Sequence, residues 1–296
     1  MPSLKEVRNR IKSVESTQQI TKAMKMVSAA KLRKAQENIL HMRPYSQMLT
    51  KIIANLSANI SQEDLQSPYT QVRSPENVLI IIITSDRGLC GAFNSNIVKA
   101  SIALAQEKYA SQWANQKVSF LCVGKKGYEA MARRQYKVNK EFLNLFTKLN
   151  FDAVRKAAEY ILDSYAQKIY DRVEIVYNEF KNVATQIIRQ KQFLPIVAEQ
   201  DNLTKTKIQY DYILEPSREE IIQELIPKAL KIEFYKALLD SNAAEHGARM
   251  TAMDKATENA GELLKILRLV YNRTRQDAIT KEILEIVGGA EALKHT

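Results

Sequence analysis

The chain has 296 residues, 45% hydrophobic and 26% charged, with a formal net charge of +11. This balance is ordinary for a water-soluble protein, and no apolar run approaches the ~18 residues that a membrane-spanning helix needs. Two cysteines (Cys90 and Cys122), three scattered histidines and no CxxC suggest neither a disulfide framework nor a metal site, and no cofactor is expected. The charged start MPSLKEVRNR leads straight into a helical pattern and does not read as a secretory signal.

From Ser3 to about Asn59 there is no glycine and, past the start, one proline, Pro44. A helix of that size would be roughly 85 Å long, whereas a compact domain of the intervening length has a radius of gyration near ~14 Å. Such a helix projects, and its apolar stripe needs a partner. A seven-residue repeat runs through Leu4, Val7, Ile11 and Val14, and again through Leu32, Ala35, Ile39, Met42, Leu49, Ile53, Leu56 and Ile60. Between them the same frame holds Gln18, Thr21, Lys25 and Ser28, while apolar residues stand one place over at Ile20, Met24 and Val27, which predicts a seam that shifts phase. Pro44 is expected to kink the helix or remove one hydrogen bond. Residues 1–60 carry eleven Lys/Arg against three Asp/Glu, so an anionic partner is one reading of this arm and a solvated helix face is the other.

Residues 61–75 read as a linker. An alternating α/β pattern follows: strands at Val78–Thr84, Lys117–Val123, Arg172–Phe180 and Gln186–Pro195, with helices at Asn94–Tyr109, Tyr128–Arg133 and Phe151–Tyr170. The chain leaves this domain at Tyr210–Pro216. A second long helical pattern then runs from Glu219 to about Val287. Its seam is expected at Met253, Ala256, Ala260, Leu263, Leu267 and Val270, with Ala243, Ala244, Gly247 and Ala248 small enough for close helix approach. The stripe stops at the polar band YNRTRQD (271–277), resumes at Ile279, Ile283, Ile286 and Val287, and Gly288-Gly289 reads as a C-cap.

Two short motifs raise the question of phosphate or nucleic-acid binding. SDRGLCGAFN (85–94) joins a strand to a helix, the geometry that holds phosphates, but it matches neither GxxxxGK[ST] nor GxGxxG. The alternative is a tight turn in which Gly88 and Gly91 allow close packing. Gly124-Lys125-Lys126-Gly127 shares the GxxG spacing of KH domains, but four residues are an unspecific signal and a simple turn is the favoured reading. No Ser/His/Asp set, HExxH or paired carboxylates mark a catalytic centre.

Taken as whole strings, VESTQQITKAMKMVSAAKLRKAQ (14–36), SDRGLCGAFN (85–94), ARMTAMDKATENA (248–260), LVYNRTRQDAITKEI (269–283) and ITKEILEIVGGAEA (279–292) resemble, in order along both arms and the middle, the gamma subunit of F-type ATP synthases of the bacterial type. The resemblance implies an α/β fold class: a long antiparallel coiled coil of the N- and C-terminal helices (residues 1–60 and 211–296) plus a small Rossmann-like α/β globular domain (76–210). It implies a central-stalk rotor that couples proton-driven rotation of the membrane c ring to ATP synthesis or hydrolysis at the catalytic beta subunits. It further implies a surrounding ring of alpha and beta subunits, an epsilon subunit and the c ring as partners, no catalytic group of its own, and a peripheral place on the cytoplasmic side of the cell inner (plasma) membrane. By position, Met24, Lys25, Arg249, Arg275 and Gln276 match residues that contact the surrounding subunits. Ile279, Ile283, Ile286 and Val287 match the tip that turns in an apolar sleeve, and Gly88 and Gly91 match the globular-domain turn. The dithiol insert of the chloroplast branch is absent, so thiol regulation is not expected. A basic coiled-coil protein that binds nucleic acid is the alternative, although Tyr45 is the only aromatic residue in the first sixty that could stack on a base.

Overall fold

The computed structural model describes residues 3–58, 68–183, 185–196 and 218–294. Residues 61–67 of the expected linker 61–75, the seam position Ile60 and the exit at 210–216 lie outside them, and linker residues 68–75 form a turn and irregular chain. The elements are α1 (Leu4–Ala58), β1 (Val78–Ile83), α2 (Phe93–Lys108), α3 (Ala110–Ala114), β2 (Val118–Val123), α4 (Lys125–Ala132), β3 (Val138–Asn139), a 3-10 turn (Leu145–Lys148), α5 (Phe151–Ala166), β4 (Arg172–Phe180), β5 (Gln186–Leu194) and α6 (Arg218–Lys294). Contacts divide them into two units: residues 29–249, and residues 3–28 together with 250–294.

In the first unit the sheet order is β3-β2-β1-β4-β5. β1 pairs in parallel with β2 and β4, β2 with β3, and β5 closes one edge antiparallel to β4. The central strand VLIIII is buried along its whole length, as a parallel strand covered on both faces must be. Strand alternation sends Leu79, Ile81 and Ile83 to one face, where Ala157, Ile161 and Tyr165 of α5 and Ile226, Leu230, Phe234 and Leu238 of α6 cover them. Val78, Ile80 and Ile82 go to the other, against Ile97, Val98 and Ala105 of α2 and Met131 of α4. Each apolar face thereby loses its water to a helix, at about 25 cal/mol per Å² buried. Beside the sheet, Leu32, Ala35 and Ile39 of α1 pack on Leu239 and Ala243 of α6, with Met42, Phe180 and Tyr235 at the edges. Pro44 lies inside α1, which continues to Ala58; the lost N–H costs the helix one ladder bond.

In the second unit α1 and α6 run antiparallel. Glu15 meets Arg268, Gln18 meets Thr257, Thr21 meets Thr257 and Lys25 meets Asp254, so facing residues rise along one helix as they fall along the other. The expected phase shift does not occur. Thr21 and Ser28 are buried in the seam and Gln18 and Lys25 partly so, whereas Ile20 and Val27 stand 57% and 56% exposed. The polar frame stays in register because each member finds a partner: Thr257 Oγ1 donates to Thr21 Oγ1 at 2.8 Å, Gln18 Nε2 to the Thr257 carbonyl at 3.5 Å, and Ser28 Oγ to the Met24 carbonyl at 2.7 Å. A satisfied polar layer removes the desolvation cost that would otherwise rotate the helix. On α6, Met253, Ala260, Leu264 and Leu267 are buried; Val270 is 38% exposed and Leu264, not Leu263, is the deeply buried member of its pair. The helix also passes through Gly288-Gly289 to Lys294 rather than ending there. Neither glycine takes a positive φ, so no left-handed cap forms, at a propensity cost of about 1 kcal/mol each.

The turns at the carboxyl ends of β1 and β2 differ in how tightly they are built. Gly124 has φ +99°, and a Cβ there would meet the Thr84 carbonyl oxygen at 2.1 Å; Gly127 presses on Thr84 Oγ1, to which its own N–H donates at 2.9 Å. The GKKG sequence is therefore a packing turn against Thr84. Gly88, expected to allow close packing, has open space where a Cβ would stand, while Gly91 adopts φ +60°. Gly124→Ala is expected to lose about 2–4 kcal/mol through strain and collision, whereas Gly88→Ala should stay within about 1 kcal/mol. Chemical denaturation of the full chain compares the two, and equal losses would refute the distinction.

Candidate functional site

The chain order of a doubly wound sheet reverses between β1 and β4: α2 leaves β1 toward one face and α5 enters β4 from the other. A crevice at the carboxyl ends of two such strands is where α/β proteins of this topology usually take ligands. Here α6 occupies it. Ala244 and Ala248 pack with Cys90 and Phe93 after β1 and with Phe180 at the end of β4. A Cβ on Gly247 would stand 3.4 Å from the Phe180 ring. The small residues of α6 thus serve two surfaces: Ala243 admits α1, and Ala244, Gly247 and Ala248 admit the sheet's end.

The turn itself is tied from within. The Ser85 N–H donates to Asn94 Oδ1 at 2.9 Å, Asn94 Nδ2 donates to Ser85 Oγ at 2.8 Å and to Cys90 Sγ at 3.3 Å, and Ser85 Oγ donates to the Arg87 carbonyl at 2.7 Å. Leu89 and Gly91 take left-handed φ values of 63° and 60°, which turn the chain sharply enough for those bonds. Burial pushes the Cys90 thiol up, so it is held as the unreactive neutral form.

Arg249 clamps this turn to α6. It is 8% exposed, with Nη1 donating to Glu245 Oε1 at 2.6 Å and Nη2 to the carbonyls of Arg87 and Gly88 at 3.0 and 3.3 Å. Burial raises the Glu245 carboxyl and the Arg249 charge opposes that rise. A bidentate guanidinium spanning a carboxylate and two carbonyls locks the turn in one geometry, and removing either charge would strand the other in a dry site. Glu245 and His246 escaped the sequence reading; the available signal was the i,i+4 spacing of Glu245 and Arg249 within a run of small residues.

In the other unit, Met24 is half-buried and Lys25 gives its ammonium to Asp254 at 2.5 Å with both side chains some two-fifths exposed. An ion pair that open to water contributes at most about 1 kcal/mol. Arg275 and Gln276 are exposed, as are Ile279, Ile283, Leu284, Ile286 and Val287. Following the register of facing residues, Arg275 comes opposite the start of α1. Beyond about Ala278 α6 therefore has no facing residue on α1 and exposes these apolar side chains beside the charged Lys281, Glu282 and Glu285. Ile266, Leu269 and Val270 add exposed apolar side chains on the paired part of α6. Of the sequence-derived site residues, the structure brings Arg249 together with the Gly88 turn and leaves Arg275, Gln276 and the terminal isoleucines outward-facing. Among the described residues no cluster could hold a metal, and no helix is long and apolar enough to cross a membrane.

A doubly wound five-stranded sheet in one unit and an antiparallel pair formed by the first and last helices in the other define a class of helix-pair α/β protein. A family model described as ATP synthase matches residues 3–293. The ATP synthase gamma chain of Cytophaga hutchinsonii is 60% identical over 296 residues, covering all of both chains. That of Flavobacterium psychrophilum is 50% identical over 294 residues, 99% of this chain and all of the relative. The chain belongs to the ATP synthase gamma-chain family. Among solved structures, the rotor of the Euglena gracilis mitochondrial ATP synthase shares the fold, with a TM-score of 0.66 at 24% identity over 93% of this chain and 98% of that one. A chain from the central stalk and c-ring structure of the Tetrahymena thermophila mitochondrial ATP synthase gives 0.55 at 26% identity over 80% and 99%.

His246 sits beside the clamp, with Nδ1 3.4 Å from Arg249 Nη1. Burial, then the charges of Arg249 and Lys31, push its pKa from 6.5 down to about 4. A histidine kept neutral in the fold contributes stability fully above pH 6.5 and loses it as pH falls from 6.5 to about 4. His246→Gln is expected to flatten the stability profile across that window, read by denaturation midpoints at several pH values; an unchanged slope would contradict the burial of the neutral ring.

Proposed function

We propose that this chain is the central-stalk subunit of an ATP synthase, turning within a ring of alpha and beta subunits whose catalytic sites respond to its orientation. The observation that carries the reading is the paired α1–α6 unit with its outward apolar end, on a chain 60% identical along its whole length to a gamma chain. A helix pair has no threefold symmetry, so each orientation offers a different surface to each of three surrounding sites. Coupling then arises from differential contact, which is the only way one part of an assembly can bias another.

In this reading residues 1–60 and 211–296 form the shaft and residues 76–210 the globular domain that meets the epsilon subunit and the c ring. The complex holds the chain peripherally on the cytoplasmic side of the inner (plasma) membrane, and ATP chemistry takes place on other subunits. Met24, Lys25, Arg275 and Gln276 contact the surrounding subunits directly. Arg249, being buried, acts on them through the turn it holds. Ile279, Ile283, Ile286 and Val287 form a bearing surface: apolar side chains slide without fixed hydrogen bonds that each turn would have to break. The basic exposed face of α1 suits acidic segments of the surrounding subunits. Nothing in the comparisons supports the alternative of a nucleic-acid-binding coiled coil.

Affinity purification of the tagged chain from its native membranes should recover alpha and beta subunits in stoichiometric amounts with ATPase activity; recovery of the chain alone, or with nucleic acid, would defeat the assignment. In that complex Arg275→Ala removes a charge-assisted hydrogen bond worth about 1.5–3 kcal/mol. ATP turnover is expected to fall about tenfold. Stability of the isolated chain should move by less than about 0.5 kcal/mol, because the side chain is exposed. Unchanged turnover would remove Arg275 from the contact set.

A further inference from the structure

The groove between α2 and α4 lies on the globular domain and holds none of the site residues assigned above. It encloses about 310 Å³, floored by Val98 and Ala130 and rimmed by Lys99, Lys126, Arg133 and Arg134. Its one carboxylate, Glu129, is already engaged: Lys126 Nζ donates to it at 2.7 Å, and that bond, with the charges of Lys126, Arg133 and Lys125, lowers its pKa. Lys99 and Arg133 form no ion pair among the described residues, and Arg134 spends one N–H on the Ala130 carbonyl at 2.8 Å. The groove therefore holds a surplus of cations around an apolar floor.

A phosphate site at a helix start is built from free N–H groups. At α4 those groups are taken: Lys125 N–H donates to Asp86 Oδ1 at 3.1 Å, Lys126 N–H to the Ser85 carbonyl at 3.1 Å and Gly127 N–H to Thr84 Oγ1 at 2.9 Å. On the α4 side recognition therefore falls to long cationic side chains, whose aliphatic stems extend the apolar floor. That combination suits carboxylates flanking an aliphatic side chain.

We propose that the α2–α4 groove docks an acidic segment of a protein partner, with its carboxylates on Lys99 and Arg133 and an aliphatic residue on Val98 and Ala130. The partner is a component of the complex assigned above, so the setting rests on that reading while the groove itself does not.

A photo-crosslinking p-benzoylphenylalanine at Ser95, an exposed residue lining the groove, tests this in the assembled complex, with products mapped by mass spectrometry. One product is expected, on a stretch with more Asp and Glu than Lys and Arg, and Lys99→Glu with Arg133→Glu should reduce it about tenfold. The neutral pair Lys99→Gln, Arg133→Gln should give an intermediate yield and serves if charge reversal blocks assembly. No product, a product on a neutral or basic stretch or on nucleic acid, or a yield indifferent to both pairs overturns the proposal while leaving an intact complex to support the stalk reading. If no complex is recovered, the stalk reading falls and the groove is judged on the full chain alone, with a synthetic peptide of alternating Glu and Leu. Salt-sensitive crosslinking that the variants weaken supports the groove, and its absence overturns it.

Discussion

An amphipathic helix of this length is unstable alone in water, since its apolar stripe is buried only when another surface covers it. The pairing of α1 with α6 is the contact on which the rest depends. Because the partners come from the two ends of one chain, their association is intramolecular and closes everything between them into a loop. The sheet can then be inserted as an independent layer, with the first half of α6 covering one of its faces through Ile226, Leu230, Phe234 and Leu238. One helix thereby belongs to two structures: it completes a sheet's core at one end and a helix pair at the other.

The seam shows how polar groups can set register without breaking it. Thr21, Gln18 and Thr257 would each cost free energy if buried alone; with Thr257 bonded across the seam to Thr21 and Gln18, and Lys25 to Asp254, they favour one alignment of the helices and penalise slippage. Their presence in the seam turns Ile20 and Val27 outward. Apolar residues that the helix pair does not bury are then left on its outer surface. The end of α6 takes this to its limit: among the described residues no helix faces it, and Ile279, Ile283, Leu284, Ile286 and Val287 stand on its surface.

The carboxyl ends of β1 and β4 illustrate the reuse of a common topology for a different end. In doubly wound proteins that crevice is open and receives ligands. Here Ala244, Gly247 and Ala248 let α6 approach, and Arg249 fastens the Ser85–Asn94 turn through two backbone carbonyls. A motif that resembles a phosphate loop is here a hydrogen-bonded joint between sheet and helix.

Much of this was legible in the residues. A glycine-free run broken only by Pro44, a strand as apolar as VLIIII, and heptads at both ends specify long helices and a buried sheet, because periodicity and burial are local properties of a stretch of chain. The apolar stripe at Ile279, Ile283, Ile286 and Val287 followed from the same periodicity, and the structure leaves these side chains exposed. Three things required the tertiary structure. Whether Thr21 or Ile20 faces the partner depends on what Thr257 offers across the seam, two hundred residues away. Whether Gly288-Gly289 stops α6 depends on the backbone conformation adopted there, and it stayed helical. Whether Arg249 points outward or inward depends on Glu245 and on the carbonyls of a turn far off in sequence. For Thr21 and Arg249 the deciding partner lies beyond the reach of local pattern, because hydrogen bonds and desolvation are settled between groups that meet only when the chain has folded; at Gly288 and Gly289 a Cβ would meet nothing within 4 Å, and the helix simply continues through them.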